Sequence, residues 1–337
     1  MPGVYKYLRM LNADAGSLLF CWVVLIVLAH ARTVLFRIAR QMPDARIEFT
    51  SSEPHEGDAT CVAYFNNQLF SGGADGKIRV WSASLQLLRT LNAHEAYIYC
   101  MAVNEQGKLY SSSCDGQVKY TLPPYEDASV QELFRCDDAI QAMYCAGPVL
   151  YTGDDKGVVT TWSNDRMLFK YNLVEEVKSL AGEQQLIYTV RDLDVVISVI
   201  VEGKSGKYSN KMVIPGKSPL TLLGPLVEEK RTYLAFPDRT GMGLQLFNNL
   251  PQHKFSKVWH LPQCHDMIVN SICGDEDHLY SGGYDNKVKG WTDLAAKQPT
   301  PLGEVDVGSC VNSICCGADN CVYIASSDGF IRCAKFV

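Results

Sequence analysis

A histidine, a serine, an aspartate and a tryptophan occur twice in this chain at one spacing. His55, Ser71, Asp75 and Trp81 form the first set; His265, Ser281, Asp285 and Trp291 form the second. In each, the His precedes the Asp by 20 positions and the Trp by 26. Ser, His and Asp are also the parts of an acyl-transfer triad, where a carboxylate orients the imidazole that takes the hydroxyl proton. An enzyme needs that triad once, whereas this set is repeated, and no GxSxG elbow accompanies it. The repetition suits a structural staple. The carboxylate holds a turn and accepts from the imidazole, the imidazole donates onward to the hydroxyl, and the Trp N–H satisfies one more acceptor. A partial set, His94, Ser111 and Asp115, has Thr121 where the Trp would stand.

Other chemistry-bearing clusters carry less. His260 and His265 flank Cys264, but no second ligand pair follows at zinc spacing. Gly203-Lys204-Ser205 lacks the preceding glycine of a phosphate-binding loop and reads as a hairpin loop. Asp192 and Asp194 sit on a turn and read as solvated. The sequence therefore predicts no catalytic residue, no metal site, no cofactor and no small-molecule substrate.

The elements that must position the two sets are hairpins. Leu69 to Trp81 and Leu279 to Trp291 each alternate apolar and polar residues, turn at a Gly/Asp cluster, and alternate again. The layout recurs along the chain. Second-strand marks fall at Ser71, Ser111, Thr152, Thr189, Phe236, Ser281 and Ile324, spaced by 37 to 47 residues. Four short strands at that period describe one blade of a β-propeller, and seven marks describe seven blades. In blade four the inner strand is predicted over 177–181. Blade five is the most divergent, with its turn at 237–241. The seventh blade runs out at Val337 before a fourth strand, while Arg46–Thr50 alternates as an orphan strand ahead of blade one. Pairing the two closes the ring and covers an exposed edge.

Residues 1–43 differ. Ser17 to Ala29 is unbroken apolar sequence, with Lys6 and Arg9 before it and Arg32, Arg37 and Arg40 after it. An apolar helix is expected here, and three uses fit it. It is a short membrane anchor with the C-terminal part in the cytosol, a signal segment cleaved near Ala29-His30-Ala31, or a helix packed on the main domain. Membrane association, if through this region, involves 17–38.

Composition narrows the rest. The chain has 337 residues and a net charge of -6, with no basic block, so no nucleic-acid partner is expected. Its 13 cysteines include no CxxC. Cys61, Cys100, Cys145, Cys273 and Cys315 read as small apolar fillers on inner strands, in a reducing compartment.

Over 44–337 the chain resembles the WD40-repeat family. There a His before the first strand, a Ser or Thr on the second, an Asp in the turn and a Trp on the third form a hydrogen-bonded tetrad, matched here by the two full sets. Blade three keeps Thr152 and Trp162, with Lys156 at the usual Asp place; blades four, five and seven lack both His and Trp. The Trp-Asp pair itself is absent, since Ser82, Ser163 and Thr292 follow the tryptophans. The resemblance implies an all-β, seven-bladed propeller serving as a non-catalytic protein-interaction scaffold, cytoplasmic or tethered to a membrane and facing the cytosol. It also permits a regulator of an enzyme or small GTPase, exchange-factor-like, or a ubiquitin-ligase substrate receptor. The receptor's Arg is missing at Ala83, Asn164 and Asp293. Family members contact partners beside the turn Asp and at the start of the first strand. Tyr97, Arg191 and Tyr284 are the expected partner-binding residues, as Tyr and Arg are favoured anchors.

Overall fold

The computed structural model describes residues 45–336, apart from 126, 127, 174, 184 and 202–205. They belong to one compact unit, Asp44–Val337. The apolar helix expected in 1–43 and the loop Gly203–Ser205 lie outside the described residues. Among the described residues, no helix is long and apolar enough to cross a membrane.

Seven four-stranded antiparallel sheets make up the unit. Blade one shows the plan: Ala59–Phe65, Gln68–Gly73, Lys77–Ser82 and Leu87–Asn92, each strand paired with the next. The first strands of successive blades pack on one another, least closely between blades four and five, so they line a central axis, and the fourth strands lie outermost. Apolar side chains fill the space between blades. Tyr280, Val288, Val311, Ile314, Val322, Ile324 and Phe336 form one such core between blades six and seven.

A small backbone irregularity recurs and ties blades together. The inner strands of blades one, two, three, six and seven each slip register at their second residue. Such a bulge re-aims one side chain. In blade one it is Thr60, whose Oγ1 reaches the carbonyl of Ile98, the first residue of blade two's inner strand, at 2.8 Å. Asn270 Nδ2 donates to Val311 O at 3.0 Å, from blade six to seven. Asn312 Nδ2 donates to Ala59 O at 2.9 Å, from blade seven to one. Short polar residues after the loop thus stitch neighbouring inner strands.

Arg46–Thr50 pairs antiparallel with Ile331–Lys335 and becomes the outermost strand of blade seven. Ser51 continues the contact: its N–H donates to Ile331 O, and its Oγ accepts from Ile331 N–H at 3.0 Å.

The remaining differences from the sequence reading have local causes. Blade four's inner strand is Leu180–Glu183, not 177–181. Val177 instead donates its N–H to Asp154 O and lies against Gly153, where a Cβ would stand 2.5 Å from its Cγ1. Outer strands of blades three and six, unassigned from sequence, are Arg166–Asn172 and Thr300–Asp306. The first is almost wholly exposed and the second carries Pro301, so neither shows a clean alternation. Of the inner-strand cysteines, Cys61 is fully buried and Cys100, Cys145, Cys273 and Cys315 are partly exposed. The twelve described cysteines are free thiols.

Deleting 44–52 leaves the edge of Ile331–Lys335 open. Calorimetry is expected to show a fall in melting temperature on the order of 5–10 °C, with aggregation on heating; an unchanged melting curve would show that the strand does not close the ring.

Candidate functional site

Each full set is assembled from four parts of its blade: the loop ahead of the inner strand, the second strand, the hairpin turn and the third strand. In blade one, Trp81 Nε1–H donates to Ser71 Oγ at 2.9 Å. Ser71 Oγ lies 2.8 Å from His55 Nε2, and His55 Nδ1 lies 3.0 Å from Asp75 Oδ1. The carboxylate also accepts the N–H groups of Lys77 and Glu56. Blade six repeats the contacts of the histidine: His265 Nε2 to Ser281 Oγ is 2.7 Å and His265 Nδ1 to Asp285 is 3.0 Å. With Nδ1–H turned to the carboxylate, a neutral ring has only an acceptor left at Nε2. For the neutral ring the hydroxyl donates to the imidazole, the reverse of the direction expected from sequence.

The electrostatics follow the geometry. Burial pushes the Asp75 carboxyl up, but the His55 hydrogen bond and charge, with the two backbone N–H groups, outweigh it and bring it down to about 2. Asp115 and Asp285 are lowered by the same balance. In blade two, burial holds the His94 imidazole below its ordinary value despite Asp115, so it is neutral at pH 7. Ser71 and Ser281 are completely buried. No substrate reaches either hydroxyl, and the sets act as staples between loop, strand and turn.

Where a set is incomplete, the second and third strands keep the same register. Ser71 pairs with Arg79, Thr189 with Val196, Phe236 with Gln245 and Ile324 with Arg332. The contents of the slot change. Blade five places Phe236 and Phe247 where Ser and Trp would stand, stacked at 5.3 Å. Its turn residue Asp238 pairs with His260 from the outer strand at 2.8 Å, instead of with a loop histidine. In blade seven Arg332 grips Asp328 with both terminal nitrogens. In blade three Asp154, not Lys156, holds the turn, accepting from Lys156 N–H and Val158 N–H. Blade two buries the Thr121 hydroxyl without a partner among the described residues. In blade four the Thr189 hydroxyl and Arg191 Nε and Nη2 are likewise buried and unpartnered.

A further device was not read from sequence. Two positions before the Trp place, Arg79 Nη1 donates to Glu53 O at 2.8 Å, and Lys119 Nζ to Ala93 O at 2.7 Å. Gln245 Nε2 donates to Pro215 O at 2.9 Å in blade five. Each pins the loop that precedes its own inner strand. The signal lies in the long donor two residues ahead of the Trp place in Arg79-Val80-Trp81 and Lys119-Tyr120-Thr121, although Lys289 at the same place in blade six pairs with Glu304 instead, at 3.1 Å.

The other predicted clusters come apart. His260 binds Asp238, His265 binds Asp285, and Cys264 Sγ donates to Met242 O. No group of three metal-ligating residues occurs among the described residues. Asp194 pairs with Arg239 at 2.7 Å. On the opposite face, a cleft of about 610 Å³ lies between blades three and five with Glu183 in its wall. Burial pushes this carboxyl up. It is already engaged by Arg231 N–H at 2.6 Å and Asn249 Nδ2 at 2.8 Å, so it joins blades four and five.

The tetrads fix a loop face. The residues immediately ahead of the seven inner strands, which ring the mouth of the axis, are Asp58, Tyr97, Ala139, Ser179, Leu220, Ile268 and Cys310. Toward blades four and five the mouth residues are buried, with Leu220 N–H donating to Ser179 Oγ at 2.9 Å. Toward blades six, one and two the mouth is open. Tyr97 is 40 % exposed, Met267 51 %, Ile268 44 % and Tyr284 42 %. Tyr284 N–H donates to Ile268 O, and Tyr97 lies edge-on to Tyr99 at 5.5 Å. The loops of this face hold sixteen Asp and Glu against four Lys and Arg. That excess repels phosphate.

Against known proteins, the profile of the family described as "WD domain, G-beta repeat" matches residues 48–82, 85–120 and 250–292. The chain is a seven-bladed β-propeller that carries repeats of this family in blades one, two and six. The matched stretches hold the two full tetrads and the partial one. Coronin-2A of Bos taurus is 30% identical over 111 residues, 30% of this chain and 20% of that protein. A p21-activated protein kinase-interacting protein 1-like protein of Danio rerio is 37% identical over 57 residues, 16% of each. The alignments thus span a fifth or less of these relatives. Among solved structures, U3-55K superposes with a TM-score of 0.70 at 14% identity, covering 87% of this chain and 98% of that chain. The computationally designed Ika8 protein gives 0.63 at 20% identity, covering 85% and 98%. At such identities the likeness is one of fold.

Two measurements test the slots. Because the Asp75 carboxyl titrates lower folded than unfolded, its contribution is complete above about pH 4 and is lost as pH falls toward 2. Asp75→Asn is expected to cost about 2 kcal/mol at pH 7 in urea unfolding, with the difference from wild type vanishing toward pH 2. In blade two, Thr121→Val removes an unpartnered buried hydroxyl and is expected to raise stability by about 1 kcal/mol.

Proposed function

We propose that this WD40 propeller is a non-catalytic platform that binds other proteins on the loop face around the open side of the channel mouth. The observation that carries the reading is the gathering of Tyr97, Met267, Ile268 and Tyr284, all substantially exposed, on the one face whose loops the tetrads hold rigid. Scattered exposed apolar residues are ordinary on a protein surface, but a group of them on a preorganised face marks a contact site. Tyrosine adds large area at low entropic cost. Arg191 contributes less than the tyrosines, since two of its nitrogens are buried. The buried Ser hydroxyls and the engaged Glu183 support a non-catalytic role. One of the similar proteins is named as kinase-interacting, a use of the fold in keeping with this reading.

Tethering through 17–38, with the propeller on the cytosolic side, is part of the proposal and rests on the apolar run Ser17 to Ala29 and the arginines that follow it. Proximity labelling in cells tests the platform. The Tyr97→Ala/Tyr284→Ala double variant is expected to lose most of the proteins labelled by the wild-type chain, with a melting temperature within about 1 °C of it, since surface substitutions cost little. An unchanged set of labelled proteins would remove the loop face from consideration.

A further inference from the structure

Among the seven residues that ring the channel mouth, Asp58 alone is charged. It is partly buried, and its side chain has no hydrogen bond or ion pair to any described residue; only its carbonyl is engaged, by Ala74 N–H. Its neighbours in the ring are Tyr97 on one side and Cys310 on the other. The Tyr97 hydroxyl is pushed up by burial first, then by Cys61, Asp58 and Tyr284, so Asp58 lies within electrostatic reach of it. Cys310 is raised by burial and by Asp58 in the same way.

A carboxylate without a counter-charge at the mouth of a channel attracts a cation. The surroundings fit one kind of cation. Tyr97 offers a ring face to a cationic head, and Ile268 and Tyr97 offer apolar area to a long aliphatic stem. The acidic excess on the surrounding loops draws basic sequence toward the mouth. We infer that Asp58 is the anchor for a Lys or Arg side chain presented by a basic segment of a partner protein, which enters the mouth between Tyr97 and Ile268. This inference rests on the platform reading and adds the partner's chemistry to it.

The test uses the full-length chain and a fluorescein-labelled peptide of alternating Arg and Gly, with a Glu-Gly peptide as control. Fluorescence anisotropy is expected to show binding of the Arg-Gly peptide only, weakening as salt rises. Asp58→Asn is expected to weaken it about tenfold, while Asp58→Glu stays within a few-fold of wild type. Glu175→Gln/Glu176→Gln, on the far side of the same face, is expected to change it less than about twofold. Equal losses in the Asp58 and Glu175/Glu176 variants would mean diffuse attraction to an acidic face and would overturn the anchor, as would absence of binding. If the Arg-Gly peptide fails while the Tyr97→Ala/Tyr284→Ala variant still loses its cellular partners, the basic-segment inference falls and the platform stands. If that variant loses nothing, the platform falls with it.

Discussion

A sheet that ends in an unpaired strand leaves a row of N–H and C=O groups open, and a ring of sheets has such an end at each terminus unless the two are joined. Here the joint is Arg46–Thr50 entering the last blade beside Ile331–Lys335. The inter-blade contacts depend on it. The bond from Asn312 to Ala59 O and the core containing Tyr323, Ala325, Leu69 and Trp81 both span the seam between blades seven and one. Each requires those blades to stay adjacent, and the closing strand keeps them so.

Within this ring the tetrads do a narrower task. In blades one, two and six their histidines fix the loop before the inner strand to the turn beside it, and in blades one and two a donor two residues before the Trp place adds a second tie to the same loop. Loops carry binding residues and are mobile by default. A face built from loops held in this way loses less entropy when a partner orders it, so exposed tyrosines there yield more of their contact energy as affinity. The blades with full tetrads, one and six, flank blade seven, and the open side of the mouth extends across these three and blade two.

Much of this was legible in the sequence. Strand identity followed from alternation, and the blade register followed from one mark per unit, because a two-residue period leaves no freedom to slip without turning the core outward. The tetrad members were legible because His, Ser, Asp and Trp recur at fixed intervals. What was not legible depends on contacts distant in sequence or on slots filled by other chemistry. His260 comes to Asp238 from an outer strand, and no loop histidine announces it. Phe236 and Phe247 replace a hydrogen bond with stacked rings, which in sequence look like ordinary core. The significance of Asp58 arises only when seven loops meet around one axis. The direction of the His–Ser hydrogen bond needed all four partners in place before it could be assigned.

The closing strand also has a mechanical meaning. Pulling on residues ahead of Ala45 loads the ring first at the Ala45 N–H to Glu304 O bond, which belongs to blade six, and next at Arg46. The strand's pairing with blade seven would then be opened from one end, bond by bond, instead of sheared along its whole length. Tension would therefore be borne by a few hydrogen bonds at a time at the seam, while the other five blades stay unloaded until that seam has parted.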